Sequence, residues 1–165
     1  LSRYRFTAGR DPLHEMRLFH TRDDERRGRL HAETERTMTQ PDGLLYSKEH
    51  EWLKIEGDVG VVGITDYAQD SLGDIVYVEL PRVGAQLKQS ASVGVIESVK
   101  AVSDLFTPVG GEVVEVNTAL DADPALVNRE PFGGGWLFKL KLADAAERSS
   151  LLGPSDYGAL VAAEH

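Results

Sequence analysis

From Pro41 onward, hydrophobic and polar positions fall into short alternating segments separated by glycine and proline. Residues 58–64 (Asp58-Val59-Gly60-Val61-Val62-Gly63-Ile64), 75–80, 92–99 and 111–116 are rich in β-branched side chains and predict strands. Residues 136–142 alternate most cleanly, with Trp136, Phe138, Leu140 and Leu142 on one face and Lys139 and Lys141 on the other. Strands this short and closely spaced predict an antiparallel sandwich or barrel. Helical signals are sparse. Asp66 and Gln69 have capping-box spacing and open a short helix that Gly73 can end. Residues 143–152 are strong helix formers with Gly153 behind them, and Ser155 is placed to cap a final helix to about Glu164. These C-terminal helices are expected to lie on the sheets through Leu151, Leu152, Leu160 and Val161. Gly133-Gly134-Gly135 lacks the Gly-x-x-x-x-Gly-Lys pattern and following helix of a phosphate cradle, so it reads as a turn.

Composition divides the chain. Residues 1–37 hold nine Arg, no Lys and seven acidic residues, with only scattered apolar positions such as Leu13, Leu18 and Phe19. The rest carries nine basic and 20 acidic residues. The head is expected to be a charged, mobile extension, or sequence upstream of a start at Met38. It has no apolar stretch of secretory-signal length, and its acids are unlike a transit peptide. Residues 38–165 are the expected folded domain. A formal net charge of −9 over 165 residues suits neither phosphate clamping nor nucleic-acid partners. No run approaches the roughly 20 apolar residues needed to cross a bilayer. Cysteine is absent, which excludes disulfides, Cys-ligated zinc and a Cys nucleophile. The three histidines of the head lack zinc-ligand spacing, and His50 beside Trp52 reads as packed or hydrogen-bonded rather than metal-ligating. No Ser–His–Asp constellation or metal cluster marks the chain as an enzyme.

One lysine stands apart. Lys100 lies between two β-patterned stretches in Glu97-Ser98-Val99-Lys100-Ala101-Val102-Ser103-Asp104, with none of the usual glycine, proline or asparagine at the turn. A lysine thrust outward at a hairpin tip is a handle for a modifying enzyme. A solvated loop lysine is the plain alternative.

The surroundings weigh against that alternative. Glu-Ser-Val-Lys-Ala at 97–101 follows Tyr46-Ser47-Lys48-Glu49-His50-Glu51-Trp52 and Gly63-Ile64-Thr65-Asp66-Tyr67-Ala68-Gln69-Asp70. With Leu72-Gly73-Asp74, Val78-Glu79-Leu80-Pro81, Pro108-Val109-Gly110-Gly111 and Gly135-Trp136-Leu137, the stretch from about Leu44 to Tyr157 resembles the H protein of the glycine cleavage system. The resemblance implies a mostly β, lipoyl-domain-like barrel-sandwich hybrid with short helices, and lipoate in amide linkage to Lys100. It implies a non-catalytic carrier that takes an aminomethyl group from a pyridoxal-phosphate glycine decarboxylase (P protein) to a tetrahydrofolate-dependent aminomethyltransferase (T protein). A dihydrolipoyl dehydrogenase (L protein) then reoxidises the dithiol. Glu97 is expected to be read by the lipoylating enzyme, and Glu51 and Asp104 to face the parked arm and accept its ammonium. Glu49 and Ser71 stand where some relatives have serine and histidine. The expected setting is a cytoplasmic monomer, or a matrix protein if the source is eukaryotic, with no nucleic-acid or membrane partner.

Other swinging-arm carriers are the competing readings. Biotinyl domains flank the lysine with methionine, whereas Val99 and Ala101 stand here. Oxo-acid dehydrogenase lipoyl domains resemble Glu-Thr-Asp-Lys-Ala, and a lipoyl or octanoyl relay to other complexes is a further alternative.

Overall fold

The computed structural model describes residues 40–164. The expectations for the charged head therefore lie outside the described residues. Nine strands and a few short helices follow one another as β1 (Leu45–Tyr46), β2 (Glu51–Glu56), β3 (Val59–Ile64), α1 (Asp66–Leu72), β4 (Ile75–Glu79), β5 (Gln86–Leu87), β6 (Ser92–Ser98), β7 (Val102–Phe106), β8 (Gly111–Val116), α2 (Ala119–Ala122), α3 (Leu126–Arg129), β9 (Phe138–Leu142), a 3-10 helix (Ala145–Ser150) and α4 (Pro154–Glu164). A six-stranded sheet runs β1-β2-β3-β9-β8-β5 and a three-stranded sheet runs β4-β6-β7, all antiparallel.

The two sheets face each other. One core cluster takes Leu53, Val62 and Leu140 from the larger sheet and Val78, Ile96 and Leu105 from the smaller. Because successive side chains point to opposite faces, the neighbours Trp52 and Val61 emerge on the outer face of the larger sheet. There they form a second cluster with Tyr46, Tyr157 and Val161 under α4. The β2–β3 hairpin is thus buried on both sides. Gly63, opposite Trp52, makes that possible: a Cβ there would lie 2.5 Å from the indole ring. The indole Nε1 donates to the Pro131 carbonyl at 2.9 Å.

Several local expectations shift. Strands 75–80 and 92–99 end one residue early, at Glu79 and Ser98. The strand read over 136–142 starts at Phe138, and Leu137 is fully buried as the chain leaves the 131–135 turn. Helix α1 spans the expected residues, but its cap is Thr65, whose Oγ1 accepts from Ala68 N at 3.2 Å. Gln69 instead donates to Asp66 Oδ1 at 2.8 Å. Residues 145–150 form a 3-10 helix, not a full α-helix. Asp144 caps its start, and the Ser149 and Ser150 hydroxyls donate back to carbonyls three residues earlier. Ser155 does not cap α4; Pro154 occupies its first turn and Tyr157 N donates to Gly153 O at 2.9 Å. As expected, Leu152, Leu160 and Val161 pack with the second cluster and Leu151 with the first.

Candidate functional site

Lys100 stands exposed at the tip of the β6–β7 hairpin. The turn needs no glycine because Ser98 closes it. The Ser98 hydroxyl accepts from the Lys100 and Ala101 amides at 3.3 and 3.1 Å, and Ser98 N donates to Ala101 O at 2.8 Å. The tip is also tied to the body, since Val99 N donates to Asp74 O at 3.0 Å. Glu97 sits on the outer face of the small sheet, opposite both Tyr77 and Val102. Among the described residues no ion pair joins it to Lys100.

Among the described residues Glu51 is the one buried acid, only 3% exposed at the start of β2. A tight turn aims it inward. His50 adopts φ 69°, its amide donates to Ser47 O at 3.1 Å and its carbonyl accepts from Thr65 N at 3.0 Å. Ser47 Oγ donates to Glu51 Oε1 at 2.8 Å and accepts from Glu51 N at 3.1 Å. Burial pushes the Glu51 carboxyl up to about 8, against the pull of the Ser47 hydrogen bond and with a smaller push from Glu49. Glu51 lines a cavity of about 370 Å³ with Ser47, Gln89, Phe106, Thr107 and Leu151 among its walls.

Asp104 is not brought into that cavity. It is exposed on β7, opposite Val95, on the same face as Val102 and Phe106. That row leads from the Lys100 turn to the cavity wall. At about 3.3 Å per residue, β7 spans roughly 13 Å between Val102 and Phe106. His50 is hydrogen-bonded, as expected: Nδ1 meets the Tyr157 hydroxyl at 2.7 Å and Nε2 meets Glu164 at 3.0 Å. Among the described residues no group of three or more His, Asp or Glu could hold a metal ion.

A family model described as "Glycine cleavage H-protein" matches residues 44–164, which take in the hairpin, the cavity and both sheets. The chain belongs to the glycine cleavage H-protein family. A glycine cleavage system H protein of Symbiobacterium thermophilum is 56% identical over 119 residues, covering 72% of this chain and 93% of that protein. One from Opitutus terrae is 57% identical, covering 73% and 96% respectively. A crystal structure of a glycine cleavage system H protein from Mycobacterium marinum superposes with a TM-score of 0.64 at 40% identity, covering 72% of this chain and 96% of that one. The mostly β, lipoyl-domain-like barrel-sandwich architecture is the fold expected of this H-protein family.

The sequence does not show what some residues around the candidate site do. Ser47, four residues before Glu51, supplies the hydroxyl that bonds its carboxyl. Ser98 replaces the usual turn residues with a side-chain oxygen. Gly73 lies beneath the lysine and Asn128 holds its carbonyl, in segments whose sequence shows no more than a helix stop and a short polar stretch.

Proposed function

We propose that this chain is the lipoyl carrier of a glycine cleavage system, with lipoate in amide linkage to Lys100. It would shuttle the aminomethyl group of glycine from the decarboxylating P protein to the aminomethyltransferase T protein, with the L protein as reoxidant. The observation that carries the reading is an exposed lysine on a turn braced from both sides, by the Ser98 hydroxyl and by Asp74. A handle for an enzyme must be open, and a tether root must be stiff, so that the arm rather than the loop does the searching. The residues around Lys100 fit the group, because the tip is exposed and an Ala follows it. When attached, the dithiolane supplies the sulfur chemistry that a cysteine-free chain lacks. Tethering gives each partner's active site an effective concentration up to about mM without release.

In this reading the protein binds and shields, and catalysis belongs to its partners. Glu97, on the outer face near the turn, is the acid the lipoylating enzyme reads. Glu51 receives a cationic amine in the cavity. Its raised value means that the acid is largely protonated at neutral pH, and an arriving ammonium draws the proton off by favouring the carboxylate. Phe106 and Leu151 at the cavity wall keep water from the amine. Asp104 lies on the path between the turn and the cavity as a second acceptor. The carrier acts as a monomer, in the cytoplasm of a bacterial source or the matrix of a eukaryotic one. Residues 38–165 are the carrier domain, and residues 1–37 are a charged extension.

Intact-mass measurement of the natural protein tests the reading. A lipoyl increment that disappears in Lys100→Arg is the expected outcome. A functional chain with a bare Lys100 would overturn it.

A further inference from the structure

Beneath the Lys100 turn, Asn128 of α3 meets residues 69–75, more than fifty positions earlier in the chain: its Oδ1 accepts from Ile75 N, and its Nδ2 donates to Gly73 O and to Gln69 Oε1, all at 2.9 Å. These bonds fix residues 73–75 between α1 and β4. The fixed segment in turn meets the hairpin. Asp74 O accepts from Val99 N at 3.0 Å, and Gly73 lies under the lysine stem. A Cβ on Gly73 would sit 3.3 Å from Lys100 Cε, tighter than ordinary contact. Gly73 also has φ 79° and ψ −156°, a conformation essentially reserved for glycine.

We infer that Asn128 is a positioning residue for attachment of the arm, acting through Gly73 and Asp74 to hold the root of Lys100 in one orientation. The inference rests on the carrier reading of Lys100. Holding α1 against β4 would need only the bonds to Gln69 and Ile75. The third bond, to Gly73 O, continues the chain of contacts to the lysine. Val99 is 69% exposed and Val102 70%, so side-chain packing does little to hold the tip, and the Val99–Asp74 bond does much of it. A segment that supplies both that bond and the floor under the stem sets where the amine is presented.

The test is Asn128→Asp in the full chain. The carboxylate keeps an acceptor for Ile75 N, while Gly73 O loses its donor and faces an oxygen. The Gln69 amide can turn to donate to the carboxylate only by giving up its bond to Asp66, a change confined to α1 and away from the hairpin. Lipoylation by a lipoate–protein ligase with lipoate and ATP is followed by intact mass, together with amide hydrogen exchange. We expect KM for the acceptor protein to rise about fivefold with kcat unchanged, because a smaller fraction of hairpin conformers presents the amine. The Val99 amide should exchange about tenfold faster while the Leu53 and Val62 amides keep their rates. Unchanged KM and Val99 exchange in the folded variant would overturn the inference. So would acceleration spread evenly over the domain, which is the signature of a structural role alone. Should Asn128→Asp not fold, Gly73→Ala disturbs the floor with Asn128 intact: a raised KM supports the inference and an unchanged one overturns it. If the unmutated chain gains no lipoyl mass, the carrier reading fails, while Val99 exchange still decides whether Asn128 braces the tip.

Discussion

Glu51 is a carboxyl whose protonation is set by where the chain folds it. In the unfolded chain it titrates near 4.5, and in the folded protein burial raises it to about 8. Between those values the unfolded state has released the proton that the native state keeps, so stability falls as pH rises. The contribution is fully present below about 4.5 and is lost by the time pH passes about 8, a change on the order of a few kcal/mol. Glu51→Gln keeps an acceptor for the Ser47 hydroxyl and removes the titration. Denaturant unfolding at a series of pH values should show a declining slope in the wild type that flattens in Glu51→Gln. A parallel pair of curves would mean that the carboxyl is ionised in the folded state. The resemblance singles out Glu51, but its burial and raised value were not legible in the sequence. The walls that dry it, Phe106 and Leu151, lie 55 and 100 residues further along the chain.

At the scale of elements, period-two patterning found the strands that bury one face. Residues 92–98 alternate between the core, through Ile96, and the outer face, through Val95 and Glu97. The same pattern on both sides of Lys100 is enough to place the lysine at a turn. Strand β2 escaped because Trp52 and Leu53 are buried on opposite faces, which erases alternation. The helix expected over 143–152 is shortened because Asp144, Ser149 and Ser150 use their side chains on nearby backbone groups, which residue propensity alone does not register. Gly63 shows how closely β2 and β3 are fitted. Gly63→Ala would drive a methyl group into the Trp52 ring, and over-packing of that kind costs about 1–3 kcal/mol. The expected readout is a lowered denaturant midpoint with loss of the native Trp fluorescence. Retention of both would show that the indole can move aside.

At the scale of the whole molecule, one hydroxyl joins parts that sequence separates widely. Tyr157 OH lies 2.7 Å from both Thr65 Oγ1 and His50 Nδ1, and its ring stacks on Tyr46 at 4.5 Å between centroids. One consistent polarity has Thr65 donating to Tyr157, Tyr157 to His50 and His50 Nε2 to Glu164, which makes His50 the Nε2-protonated tautomer. Burial pushes the Tyr157 hydroxyl well above its ordinary range, so it stays a donor. Tyr157→Phe would leave buried Thr65 and His50 short of a partner, a loss of about 1–3 kcal/mol to be read from thermal or denaturant melting. No change would mean that water takes the hydroxyl's place. His50 is also the residue whose turn points Glu51 inward, so the final helix is wired to the acid's backbone. Glu164, in the last turn of the final helix, therefore bears on the turn that aims the carboxyl from more than a hundred residues away.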